Sequence, residues 1–174
     1  MTDWPSDLFA CLARHGVSQV PFVPDGGHVA LIRAVQAAPQ MRAIPLTTEE
    51  EGVALLTGSW LGGARGVLLM QSSGVGNCVN MFSLVAQCRI PLVAFVTMRG
   101  EWGEFNPWQV PMSRATRSVC EAMGLSVMRA DAPQDVAPTA EAALSQAFGG
   151  GTPTVVLLGQ RLIGAKDFHA EDKR

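Results

Sequence analysis

Hydrophobic positions fall into short, nearly continuous runs separated by longer segments of mixed pattern. The runs occupy 19–24 (QVPFVP), 41–47 (MRAIPLT), 66–71 (GVLLMQ), 91–98 (PLVAFVTM), 125–130 (LSVMRA) and 153–159 (PTVVLLG). A strand with one wet face alternates apolar and polar residues, whereas a near-continuous run marks a parallel strand covered on both faces. Between the runs, 7–15, 27–37, 49–62, 77–87, 113–123 and 133–148 carry apolar patterns of helical length. Thr48 followed by Glu51 reads as a capping box at the start of the third helix. Asp131-Ala132-Pro133 opens the last, with proline in the first turn. This alternation predicts an α/β domain: a doubly wound, six-stranded parallel sheet with helices on both faces. The domain is expected over 1–164, with a polar tail at 165–174. One stretch, 100–111 (GEWGEFNPWQVP), has no period and carries Trp102, Phe105 and Trp108. A loop of that length inside a compact domain points to a lid or a partner-facing surface, or to a segment that folds its aromatics back onto its own domain.

The 174 residues match one domain's length. Hydrophobic residues make up 48% and charged residues 16%. That excludes disorder, and so little charge implies that a partner covers part of the surface. A net charge of −2 excludes a nucleic-acid footprint. Cysteines at 11, 78, 88 and 120 show no metal-ligand spacing, and the three histidines do not cluster with them. They read as free, mostly buried thiols of a cytoplasmic protein, and no metal site is expected in the chain. The N-terminus has early acids and no long apolar core, so it does not read as a signal peptide, and no apolar stretch is long enough to span a bilayer.

Ligands of parallel α/β sheets sit at the carboxyl ends of the strands. Three such ends are rich in special residues: Val23-Pro24-Asp25-Gly26-Gly27-His28, Thr47-Thr48-Glu49-Glu50-Glu51-Gly52, and Gln71-Ser72-Ser73-Gly74-Val75-Gly76-Asn77 followed by Asn80. Gly74-Val75-Gly76 is half of a dinucleotide fingerprint but lacks its third glycine, since Val79 stands there. Neither a P-loop nor a hydrolase nucleophile elbow occurs. Acids in a first helical turn meet the positive end of the dipole, which accounts for part of the Glu49–Glu51 run. Glu51, opening Glu-Gly-Val-Ala, reads as a poorly hydrated carboxylate suited to handling a proton.

The stretches TTEEEGVALLTGSWLGG, LLMQSSGVGN and MRGEWGEFNPWQVPM resemble the pyrimidine-binding domain of thiamine-diphosphate-dependent enzymes. The likeness is to the alpha chain of sulfopyruvate decarboxylase and the matching half of phosphonopyruvate decarboxylase, over roughly residues 5–160. The resemblance implies an alpha subunit of a thiamine-diphosphate-dependent decarboxylase of small acidic 2-oxo acids. It implies that a glutamate bonds N1′ of the aminopyrimidine and so promotes deprotonation of the thiazolium C2. Glu51 matches that glutamate, with Glu50 as the fallback if the register slips by one. Ser73, Gly74, Val75, Gly76 and Asn77 then line the cofactor. The diphosphate and its Mg²⁺ belong, in such enzymes, to a Gly-Asp-Gly…Asn element that is absent here. The resemblance thus implies a beta subunit carrying the diphosphate-binding domain, and a hetero-oligomer.

Asp25, Gly26, Ser72, Asn77, Asn80 and Arg99 are the candidate substrate contacts. Arg99, at a strand's carboxyl end, offers a two-pronged guanidinium to a carboxylate, sulfonate or phosphonate. His28 is a candidate proton donor late in the reaction. Two readings compete: a non-catalytic partner or regulatory subunit of the same fold, and a stand-alone nucleotide-binding module.

Overall fold

The computed structural model describes residues 3–165. The tail expected at 165–174 therefore lies, apart from Ala165, outside the described residues. The elements follow in the order α1 (Trp4–Arg14), β1 (Val17–Phe22), α2 (Val29–Ala37), β2 (Arg42–Pro45), α3 (Glu49–Leu61), β3 (Arg65–Gly66), β4 (Leu68–Gln71), α4 (Ser72–Cys88), β5 (Val93–Thr97), α5 (Val110–Ala122), β6 (Ser126–Ala130), α6 (Pro133–Gly150), β7 (Thr154–Leu158) and α7 (Gln160–Ile163). Each expected run overlaps a strand, and β1 begins and ends two residues before its run does. The two-residue β3 and the four-residue α7 are additions too short to leave a pattern.

All strands pair in parallel, in the order β2-β1-β4-β5-β7-β6, with β3 on β1. Successive side chains of a strand point to opposite faces, and the two faces feed separate cores. Leu69, Phe95 and Val156 pack with Leu8, Leu12, Leu31, Val35 and Leu144 from α1, α2 and α6. Leu68, Met70, Ala94, Val96 and Val155 pack with Val53, Leu56, Phe82, Val85 and Cys120 from α3, α4 and α5. The doubly wound architecture is thus present. Three of the four cysteines are buried, and Cys88 is exposed. Among the described residues no helix is long and apolar enough to cross a membrane.

The chain leaves β1 for β2 on one side and returns to β4 on the other. Between them lies the crevice at which open α/β sheets place ligands. The helix α3 lies close over this region because Gly52 has no side chain. A Cβ there would come within 2.5 Å of Leu68 Cδ1 and 2.9 Å of Leu46 Cδ1. Gly52→Ala is therefore expected to lower stability by about 1–3 kcal/mol through overpacking. Urea denaturation measures this, and a shift inside about 0.5 kcal/mol would show that α3 lifts off β4 without strain.

Candidate functional site

Asp25 ties three neighbouring strand ends together. Its Oδ1 accepts from Gln71 Nε2 at 3.0 Å, and its Oδ2 accepts from Thr97 Oγ1 at 2.7 Å and from the Gly27 N–H at 3.0 Å. Gln71 Oε1 in turn accepts from Ser73 Oγ at 2.8 Å, and Ser72 Oγ accepts from the Arg99 N–H at 3.1 Å. These bonds run from β1 through β4 to β5 and occupy both Asp25 oxygens. Asp25, expected as a substrate contact, is thus a structural acceptor in this arrangement, and Ser72 is buried. Gly26 is exposed beside it.

His28 departs from its expected role. It is fully buried, its Nε2 lies 3.1 Å from the Phe95 carbonyl oxygen, and Nδ1 has no partner. Burial lowers its pKa, against weaker opposite pulls from the Asp25 charge and the Phe95 and Met70 carbonyls. An enclosed, neutral imidazole is not a loop histidine open to a substrate.

The three consecutive acids point in three directions, because each helical residue turns the side chain by about 100°. Glu51 is exposed, and its Oε2 accepts from the Thr47 N–H at 2.9 Å. It caps the helix, one residue earlier than the expected box. Glu50 accepts from the Thr48 hydroxyl, which lowers its pKa. Glu49 alone is buried, at 7% exposure. Its Oε2 accepts from Asn77 Nδ2 at 2.7 Å, and the rest of the carboxyl group lies against Gly74, where any Cβ would overlap it. The expectation that Glu51 is the poorly hydrated carboxylate is corrected: Glu49 is the buried acid of the three, Glu50 is half-buried and Glu51 is exposed. The signal was in the chain. Glu49, Gly52, Val53 and Leu56 form an i, i+3, i+4, i+7 stripe, and these are the buried residues of α3.

The segment Ser73–Asn77 belongs to a helix. Its α4 begins at Ser72, directly after β4, five residues before the expected start. Gly74 and Val75 are buried in its first turns, while Gly76 and Asn77 are exposed. Asn80 is exposed one turn beyond Asn77. A Cβ on Gly76 would lie 3.3 Å from Met112 Sδ of α5. Glu49, Asn77 and Gly74 are thus brought together, with Ser73 beside Gln71. His28 and Glu51 are not part of that group. Among the described residues, no group of three or more His, Cys, Asp or Glu is placed to hold a metal ion.

Arg99 is buried, and its guanidinium fork is filled. Nε and Nη2 each donate to the Glu104 carboxylate at 2.6 Å, with the two side chains 7% and 3% exposed. Glu104 also accepts from the N–H groups of Gly100 and Asn106, at 3.2 and 3.0 Å, and from Gln160 Nε2 at 3.0 Å. In this arrangement Arg99 anchors its own loop, so the expected two-pronged grip on a substrate anion is not available. The Arg99 hydrogen bonds lead in lowering Glu104 from an ordinary 4.5 to about 2. A depressed pKa gives stability that is complete above the unfolded value and lost as pH falls through the folded one. Wild-type protein should lose part of its stability between about pH 4.5 and 2 for this reason. Glu104→Gln should be less stable at pH 7 and flatter across that window. Denaturation series at pH 7, 4.5 and 3 test this; parallel curves for the two proteins would remove the pair from the account of acid sensitivity.

No protein-family profile matches the chain. Individual relatives do. The sulfopyruvate decarboxylase subunit alpha of Methanothermobacter thermautotrophicus is 36% identical over 113 residues, 64% of this chain and 68% of that protein. The subunit of the same name from Methanococcus maripaludis is 29% identical over 152 residues, 87% of this chain and 91% of that one. A phosphonopyruvate decarboxylase of Streptomyces hygroscopicus is 41% identical over 113 residues, which are 64% of this chain but 28% of that longer protein. In three dimensions, a 2-oxoglutarate:ferredoxin oxidoreductase from Magnetococcus marinus shares the fold, with a TM-score of 0.70 at 10% identity, over 92% of this chain and 29% of that one. By its identity to the Methanothermobacter subunit, of which it spans 68%, the chain belongs to the family of sulfopyruvate decarboxylase alpha subunits.

Proposed function

We propose that this chain is the alpha subunit of a thiamine-diphosphate-dependent decarboxylase of small acidic 2-oxo acids, and that Glu49 is the carboxylate it contributes to the aminopyrimidine. The observation that carries this reading is the Glu49 carboxyl group itself. It is buried at the carboxyl-end crevice, one oxygen is held by Asn77, and the other has no hydrogen-bond partner among the described residues. An acceptor left open at a ligand crevice suits a ring N–H, and Gly74 keeps the space around it free of side chain. The residues therefore fit an aminopyrimidine.

Bound thiamine diphosphate would supply the electron sink that loss of CO₂ from a 2-oxo acid requires. The protein's part is positional and electrostatic. Glu49 would hold a proton at N1′ of the ring, and the Asn77 amide fixes the carboxylate plane so that the open oxygen stays directed at its partner. The first turn of α4 adds the positive end of a helix dipole beside that carboxylate. Ser73, Asn77 and Asn80 are the polar side chains of α4 proposed to face cofactor and substrate. The Gly-Asp-Gly…Asn element is absent from the sequence, so the proposal assigns Mg²⁺ and the diphosphate to a beta subunit. The names of the relatives as alpha subunits support that division.

Two substitutions separate the candidates. Glu49→Gln keeps the shape and should lower C2 hydrogen–deuterium exchange and decarboxylation in the assembled enzyme by about 10²–10⁴-fold. Glu51→Gln should leave both within a few-fold of wild type, and the amide oxygen can still accept from the Thr47 N–H. Calorimetry of thiamine diphosphate binding gives a readout independent of turnover: Glu49→Gln should weaken it and Glu51→Gln should not. The opposite pattern would return the role to Glu51.

A further inference from the structure

We infer that the 101–108 loop is a preorganised docking surface for the companion subunit, with Trp102 and Trp108 as its anchors. The inference rests on the subunit reading above. Five large hydrophobic residues are exposed among those described, and three of them, Trp102, Phe105 and Trp108, lie within this one loop. Trp108 is 74% exposed, and exposed apolar side chains grouped in one patch mark an interaction surface.

The backbone beneath these rings is not free. Gln160 Oε1 accepts from the N–H groups of Glu101 and Trp102 at 2.8 and 2.9 Å. Glu104 is locked onto Arg99, Gly100, Asn106 and Gln160, as described above. Asn106 Oδ1 accepts from the Trp108 N–H at 3.1 Å and caps the 3-10 turn Pro107–Gln109. The Arg99 guanidinium also lies 5.7 Å from the centre of the Phe105 ring. A buried ion pair is an expensive way to hold a loop that only connects two elements. Holding exposed aromatics in fixed positions removes ordering cost from association, and tryptophan in such a setting is the commonest kind of interface hot spot. A charged rim adjoins the aromatics: Arg129 bonds Glu101 through Nη1 and Nη2 at 2.7 and 2.8 Å, beside Asp131 and Arg161. An apolar centre with a polar edge is the anatomy of a protein interface.

The occupant is the companion subunit rather than a second copy. In the longer phosphonopyruvate decarboxylase the 113 matched residues are 28% of the protein, so a counterpart of this chain's full length would leave about half of that protein over. Where the segment is a subunit of its own, that remainder has to be held by surface contact.

The test purifies the tagged chain from cells carrying its own genomic neighbourhood, sizes the complex by analytical ultracentrifugation, and re-forms it by titrating separated components. Acrylamide quenching of tryptophan should drop on complex formation. Trp102→Ala and Trp108→Ala should each weaken assembly about tenfold or more, with thermal unfolding of the free chain unchanged. Turnover should recover when excess companion drives assembly. A chain that purifies only alone or with its own copies overturns the assignment. So does a double variant that assembles normally, or one that assembles normally and turns over slowly, which would make the loop a lid. A wild-type complex that assembles and decarboxylates nothing would sink the functional reading alone; a double variant that forms active enzyme with the same companion titration midpoint as wild type would sink the docking surface alone.

Discussion

The close approach of the first turns of α3 and α4 is the constraint on which the site depends. Glu49 from one helix occupies the space that a side chain at position 74 of the other would fill. The Glu49 carboxylate accepts from Asn77 of α4, and the first turn of that helix brings the positive end of its dipole beside the charge.

The rest of the crevice holds that group still. Asp25 spans three strand ends through Gln71 and Thr97 and leaves β1, β4 and β5 no freedom to shear at their carboxyl ends. Gly27 permits this closeness, since a Cβ there would sit 2.7 Å from Thr97 Cγ2. Two residues past the end of β5, Arg99 serves a different end. Its guanidinium is spent on Glu104, so the strand that closes one side of the crevice also fixes the loop that presents the aromatics.

The architecture could be read from the chain because burial on both faces writes itself into composition. Runs such as PLVAFVTM and PTVVLLG carry one threonine each and no alternation of polar and apolar positions, the pattern of a covered parallel strand. The start of α4 was not legible. Ser72, Ser73, Gly74 and Gly76 have the composition of a turn, and glycine costs a helix about 1 kcal/mol each. The helix begins there nonetheless, because α3 and Glu49 require the absence of side chain on that face.

The sequence by itself determined the sheet, the two helical layers and the family, since these follow from periodicity and from residue types at fixed spacing. It also pointed to Glu51, with Glu50 as the fallback. Only the tertiary structure shows that Glu49 is the buried acid of the three, because burial turns on which face of α3 meets α4, and adjacency to a small apolar string does not report that. The same holds for His28, enclosed by Phe95 from another strand, and for Arg99, whose charge is taken by Glu104 five residues on. A residue's type fixes what chemistry it can do. Whether that chemistry is free depends on partners that come from elsewhere in the fold.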